Sequence, residues 1–139
     1  MKVQVGMADL TSLSERVEGA GGPDRELDAA LACAVDPERA GYWPNPVIPD
    51  GALVNDNGIM CRAEAYTASL DSALGLVDRV LGDDCYVMVE RWGSGNSGEA
   101  AIKYGPNWSK RATAAAPTPA LALLAALLKA LSEKDQANG

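Results

Sequence analysis

The residues best able to do chemistry in this chain are carboxylates at close spacing. Glu26 lies with Asp28 beside Arg25, and Glu90 and Glu99 flank a glycine stretch that would fold them opposite each other. Two carboxylates perform acid and base work when one is desolvated and their pKa values separate; left in water, they are structural acids. Histidine is absent, which removes the commonest general base and the commonest metal ligand together. Cys33, Cys61 and Cys85 could offer three thiolates to zinc, but no CxxC spacing occurs and their neighbours Ala32, Ala34, Met60, Tyr86 and Val87 are apolar. Ordinary buried thiols explain them better. Asp83 and Asp84, with Asp71 and Asp78 nearby, have the oxygen chemistry of a cation site without EF-hand spacing, and read as solvated helix-end acids. No catalytic residue, metal or cofactor is assigned.

Gly93-Ser94-Gly95-Asn96-Ser97-Gly98 spells GxGxxG. Dinucleotide binding needs a strand before that motif and a helix after it, so that the helix start faces the pyrophosphate; here a strand follows. The kinase arrangement of strand, glycine loop and strand fails too, because Lys103 of Ala100-Ala101-Ile102-Lys103 follows too soon and neither HRD nor DFG is present. The stretch reads as a hairpin loop that could at most cradle an anion on its backbone around Gly95 and Asn96. Trp43, Trp92 and Trp108, with Tyr42, Tyr66 and Tyr104, lie in or beside loops, where exposed rings would contact a planar ligand or another protein. With no Phe in the chain, they also have to supply core bulk.

Several elements must position these groups. From Asp9, Leu10, Leu13 and Val17 recur at helical spacing until Gly19, Gly21 and Gly22. Asp24 caps a second helix with Leu27, Leu31 and Val35 on its apolar stripe, and Asp36-Pro37 ends it. Residues 37–65 are proline-rich and irregular, with a small hairpin at 53–60 turning on Asn55-Asp56-Asn57-Gly58. Ser69 caps a third helix that stops at Gly82. Strands follow at 85–92, 100–104 and 108–113. A last helix from Pro119 to about Lys134 is capped by Thr118, and its six leucines fall within an arc of roughly 160°. So wide an arc needs a broad partner. Apolar residues on both sides of Tyr86-Val87-Met88-Val89 predict that both sheet faces are covered, the second by the N-terminal helix pair. The expected fold is α+β, a three-layer α/β/α sandwich around an antiparallel sheet of about three strands.

The 139 residues suffice for one domain, with a core over 8–134 and an unstructured tail at 135–139. A net charge of −7 argues against a nucleic-acid surface. Lys103, Lys110 and Arg111 could still form a local basic patch, though a solvated strand edge explains them more simply. The odd cysteine count and the lack of a secretory stretch point to a reduced, cytoplasmic protein. The apolar run from Pro119 to Leu131 falls short of the roughly 18 residues a bilayer requires.

Arg25-Glu26-Leu27-Asp28-Ala29, Tyr66-Thr67-Ala68-Ser69-Leu70-Asp71 and Ala116-Pro117-Thr118-Pro119-Ala120-Leu121-Ala122-Leu123, in that order, resemble three anchor motifs of the phage ABA sandwich domain family. The resemblance spans about residues 8 to 132 and departs at 37–65, which is longer and richer in proline. It implies a helix, sheet, helix sandwich, a phage or prophage origin, and no established activity. In physical terms, two capped helix starts brought together would pair Arg25 with Asp71 or form an anion pocket. The expectation is a non-enzymatic protein that binds either a host protein or a small anionic ligand, such as a signalling nucleotide withheld from host defence. Neither nucleic acid nor membrane is an expected partner, and homo-oligomers are compatible with the sequence. The candidate contacts are Arg25, Glu26, Asp28, Trp43, Tyr66, Ser69, Asp71, Arg91, Trp92, Gly95 and Asn96. A minor virion component and a small carboxylate-dependent hydrolase are the alternatives.

Overall fold

The structure, a computed structural model, describes residues 7–48, 50–82, 85–92 and 97–138. The fold is α+β, with helices α1 (Met7–Gly19), α2 (Arg25–Val35), α3 (Leu70–Leu81) and α4 (Pro119–Asn138). The strands are β1 (Tyr42–Pro44), β2 (Ala52–Asn55), β3 (Met60–Arg62), β4 (Tyr86–Trp92), β5 (Ser97–Tyr104) and β6 (Lys110–Ala116). They form two antiparallel sheets, ordered β1-β2-β3 and β4-β5-β6. Helix α4 continues to Asn138, so the tail expected to be unstructured is helical to that point. Residues 1–6, the Asp83 and Asp84 weighed as cation ligands, and the glycine loop at 93–96 lie outside the described residues.

The core is built around α4. Every residue from Ala120 to Leu128 is buried, so the helix is enclosed on all sides rather than along its leucine arc alone. Strands β5 and β6 cover one flank and α1 the opposite one, with α3 in a smaller contact. Ala122, Ala125 and Ala126 fill the circumference between the leucines, and such small side chains let neighbouring elements approach closely. On the sheet, Val87 and Val89, Ala100 and Ile102, and Ala112 and Ala114 occupy one face, and the Ala and Ile pairs are buried there.

The N-terminal helices do not cover the sheet's second face in the way the three-layer expectation required. Helix α1 packs against the back of α4, leaving Tyr86, Glu90, Arg111 and Thr113 exposed on the far side of the sheet. The reason is that a helix apolar all round needs a partner on each flank, and α1 satisfies α4 before it can serve the sheet. Tyr86 and Met88 of β4, which suggested burial on both faces, belong to side chains able to stand half in water.

Residues 37–65 are more ordered than their prolines suggest. A 3-10 turn at Pro37–Arg39 follows α2, then β1 adds as an edge strand to the hairpin β2-β3, whose turn contains Gly58 at φ 75°. The hairpin expected at 53–60 is therefore present as Ala52–Asn55 paired with Met60–Arg62, and β1 was not foreseen. Pro44 ends that edge strand, where a missing N–H costs nothing. Helix α2 packs on β1.

Candidate functional site

The three stretches that carried the family resemblance meet in space. At the start of α2, Asp24 Oδ1 accepts the Leu27 N–H at 3.0 Å, the expected cap. Thr67 Oγ1 accepts from the Asp24 N–H at 2.8 Å and donates to the Asp24 carbonyl at 3.2 Å. Asp28, fully buried, accepts the Thr67 N–H at 2.8 Å on one oxygen and Arg25 Nη1 at 2.8 Å on the other. Arg25 also donates through Nη2 to the Ala63 carbonyl at 2.8 Å and through Nε to the Asp50 carbonyl at 3.3 Å. Its guanidinium lies against Gly51, where a Cβ would come within 2.6 Å of Nη2. A buried carboxylate is tolerable only with such partners.

A second network holds the other side of the same turn. Tyr66, fully buried, donates its hydroxyl to Asp36 Oδ2 at 2.5 Å, and Arg79 binds Asp36 with a fork, Nε to Oδ1 at 3.1 Å and Nη2 to Oδ2 at 2.8 Å. The Glu38 N–H adds a further bond to Asp36 at 3.0 Å. Burial pushes the Asp36 pKa up, but the bonds from Arg79, Tyr66 and Glu38, with the Arg79 charge, outweigh it and hold the carboxyl below its ordinary value. Burial and the bond to Asp36 raise the Tyr66 phenol. Together the two networks clamp residues 63–69, which lead from β3 into α3. Ser69 caps α3 by accepting the Ser72 N–H at 3.2 Å.

The third stretch is the start of α4, where Thr118 Oγ1 accepts the Leu121 N–H at 3.2 Å. Gly98 of β5 lies directly beneath, and a Cβ there would come within 2.7 Å of the Pro119 nitrogen. Opposite Gly98 on β4 stands Arg91.

Between these parts lies a cleft of about 400 Å³. Pro23 before α2, Thr67, Ala68 and Leu70 at the start of α3, and Thr118, Pro119 and Ala120 at the start of α4 line it, closed by Val89 and Arg91. The starts of α3 and α4 thus border one space, with Pro23, just ahead of the α2 cap, beside them. The first N–H groups of a helix have no intrahelical partner and carry the positive end of its dipole. Among the described lining residues Arg91 is the one formally charged side chain, and it is exposed.

The candidate contacts distribute unevenly around this cleft. Arg91 lines it, and Ser69 caps a helix at its edge. Arg25, Asp28 and Tyr66 are committed to the clamps beneath it, with Asp28 and Tyr66 fully buried. The pairing of Arg25 with Asp71 does not form: Asp28, three residues along the same helix, satisfies the guanidinium locally, and Asp71 is exposed. Glu26 points away from Asp28 and lines a different cleft of about 420 Å³ between α2 and the 44–52 loop. Trp43 sits half-buried on β1. Trp92 ends β4, and its side chain, with Gly95 and Asn96, lies outside the described residues. Glu90 and Glu99 are direct cross-strand partners on the open sheet face.

Asp36, Thr67 and Arg79 were not singled out from the sequence. Thr67 lay inside a quoted motif, and the Asp36–Arg79 pairing joins residues 43 apart with no local pattern to announce it. Cys33, Cys61 and Cys85 are half-buried, and among the described residues no group of three or more His, Cys, Asp or Glu is placed to hold a metal ion. Burial, and then the neighbouring Cys61, push the Cys33 thiol up to about 11. No described helix is long and apolar enough to cross a membrane. No protein-family model, no curated protein and no solved structure matches this chain.

Proposed function

We propose that this chain is a small phage or prophage protein that acts by binding rather than catalysis, taking a small anionic ligand at the cleft where α2, α3 and α4 begin. The observation that carries the reading is the convergence of the starts of α3 and α4, the residue ahead of the α2 cap, and Arg91 on one space of about 400 Å³. The Arg91 guanidinium, with the first-turn backbone at Leu70 and Ala120, supplies the donors a phosphate or carboxylate requires, and the helix dipoles favour negative charge. The volume suits a ligand of nucleotide size. Sequestration of a signalling nucleotide inside the bacterial host is the form of this activity that the donor set best fits. The clamps formed by Asp28 and Asp36 support it by fixing the 63–69 turn, so that the donors are held in place before ligand arrives.

A specific observation favours a second reading, in which the occupant is a host protein. Val47, Ile59 and Met60 are exposed by 85%, 54% and 55% around the small sheet, more apolar surface than its packing needs.

The test is a thermal-shift and equilibrium-dialysis panel of nucleotides, inorganic phosphate and dicarboxylates on the intact protein and on Arg91→Ala. Binding of an anion that weakens at least tenfold in Arg91→Ala is the expected result, in keeping with one lost charge-assisted bond. Silence across the panel at millimolar ligand would sink the reading.

A further inference from the structure

The open face of the large sheet carries an arrangement separate from the cleft. Tyr86, Lys103 and Arg111 are aligned in one cross-strand row over β4, β5 and β6. Trp108, from the connection between β5 and β6, crosses the end of β5 to reach Tyr86, with ring centroids 5.7 Å apart and planes tilted by 47°. Both rings stand in solvent, Trp108 exposed by 51% and Tyr86 by 47%. Asn107 and Trp108 hold φ of 55° and 54°, a conformation a bulky residue adopts only against steric resistance, so the exposed ring is kept there at a cost in backbone strain.

The cations of the open face at this end make no ion pair among the described residues. Among the described residues, Lys103, Lys110 and Arg111 have no carboxylate within ion-pair distance. Glu133 shares a shallow cleft with Lys110 and Arg111, but the Tyr104 hydroxyl donates to it. Two cations, Lys103 and Arg111, beside two exposed rings, in a chain of net charge −7, are a local excess that the overall composition conceals.

We propose that this end of the open face binds a nucleotide unit, its base stacked on Trp108 and its phosphate held by Lys103 and Arg111. Aromatic faces accept any base, and adjacent cations neutralise the phosphate it carries. A free nucleotide supplies one such unit, and a single strand supplies them in series. This site is independent of the cleft at the helix starts, because Arg91 lies toward the other end of β4 and on the face that meets α4.

The experiment is equilibrium dialysis of the intact protein against AMP, adenosine, inorganic phosphate and a single strand of about ten nucleotides. It is repeated with Trp108→Ala, Trp108→Gly, Lys103→Gln, Arg111→Gln and Arg91→Ala. The expected result is that AMP binds at least tenfold more tightly than adenosine or phosphate. Each Trp108 variant should weaken it roughly tenfold, and Lys103→Gln and Arg111→Gln should each flatten the salt dependence of strand binding by about one charge. Glycine tolerates the backbone conformation at 108, so Trp108→Gly stays folded and keeps the test decisive. A strand bound tenfold more tightly than AMP identifies nucleic acid as the source, and equal affinities identify the free nucleotide. Failure of every probe to bind would overturn the proposal, as would binding that survives in Trp108→Gly with Arg111→Gln. Loss of binding in Arg91→Ala alone would overturn it as well, and would place the nucleotide in the cleft.

Discussion

Asp36 shows what a single side chain is asked to do in this molecule. It is almost fully buried, and it joins the end of α2 to α3 by accepting from Tyr66, Arg79 and the Glu38 N–H. Removing it strands a buried phenol and takes the main partner from Arg79. Asp36→Ala is therefore expected to cost about 3 kcal/mol, and Tyr66→Phe, which leaves the ion pair in place, about 1 kcal/mol, both read from urea unfolding. The same groups set a pH window. Because the folded Asp36 pKa lies below its ordinary 3.8, its contribution is present above that value and is lost as pH falls through the folded pKa. Tyr66 is raised above 10.0 and Cys33 from 9.0 to about 11, so their contributions are present below those ordinary values and are lost as pH rises past them. The urea midpoint should be level between about pH 5 and 8 and fall on both sides, with a shallower alkaline fall in Tyr66→Phe; an unchanged alkaline limb in that variant would contradict this. What could be read from sequence at this scale was whatever is local. Asp24, Ser69 and Thr118 declare themselves as caps because the bond each makes closes within three residues. Arg79 and Asp36 find each other only after the chain has folded.

At the scale of elements, the close approach of β5 to the start of α4 is the tightest constraint. A side chain at 98 would meet the Pro119 backbone, which cannot yield as a flexible side chain does. Gly98→Ala is expected to cost about 1–3 kcal/mol and to displace the first turn of α4. Gly75 provides the contrast, lying inside α3 where a Cβ would reach only Arg79 Nη1 at 3.4 Å. Gly75→Ala should stabilise by about 0.5–1 kcal/mol through helix propensity. Thermal melts of the two variants moving in the same direction would show that the packing at Gly98 is softer than its geometry indicates. All four helices and the hairpin β4-β5 were legible, because each has its own periodicity or turn chemistry. The strand β1 was not. Three residues ending in proline carry too little pattern, and Tyr42–Pro44 becomes a strand only because β2 offers it an edge.

For the whole molecule, sequence gave the class of fold but not the order of its layers. The breadth of apolar surface on α4 was visible, yet a helix needing partners all round and a helix needing one broad sheet look alike until the alanines are seen buried too. Charge behaved in the same way: an overall −7 is a sum, and it hid two cations, Lys103 and Arg111, side by side at one end of the open face. Because one helix serves both the large sheet and α1, a cavity there should be felt throughout. Leu124→Ala is expected to cost about 2–5 kcal/mol with an unchanged urea m-value, as for a single cooperative unit. A biphasic urea curve would instead mean that α4 and its partners can part company. The position of α4 along the chain also bears on translation. Every element it packs against is synthesised before it, so a nascent chain displays the apolar faces of α1 and the large sheet to chaperones and proteases until Pro119–Asn138 has left the ribosome. Assembly of this core therefore waits for α4, and a chain released before Pro119 is a product that quality control should clear rather than a smaller working protein.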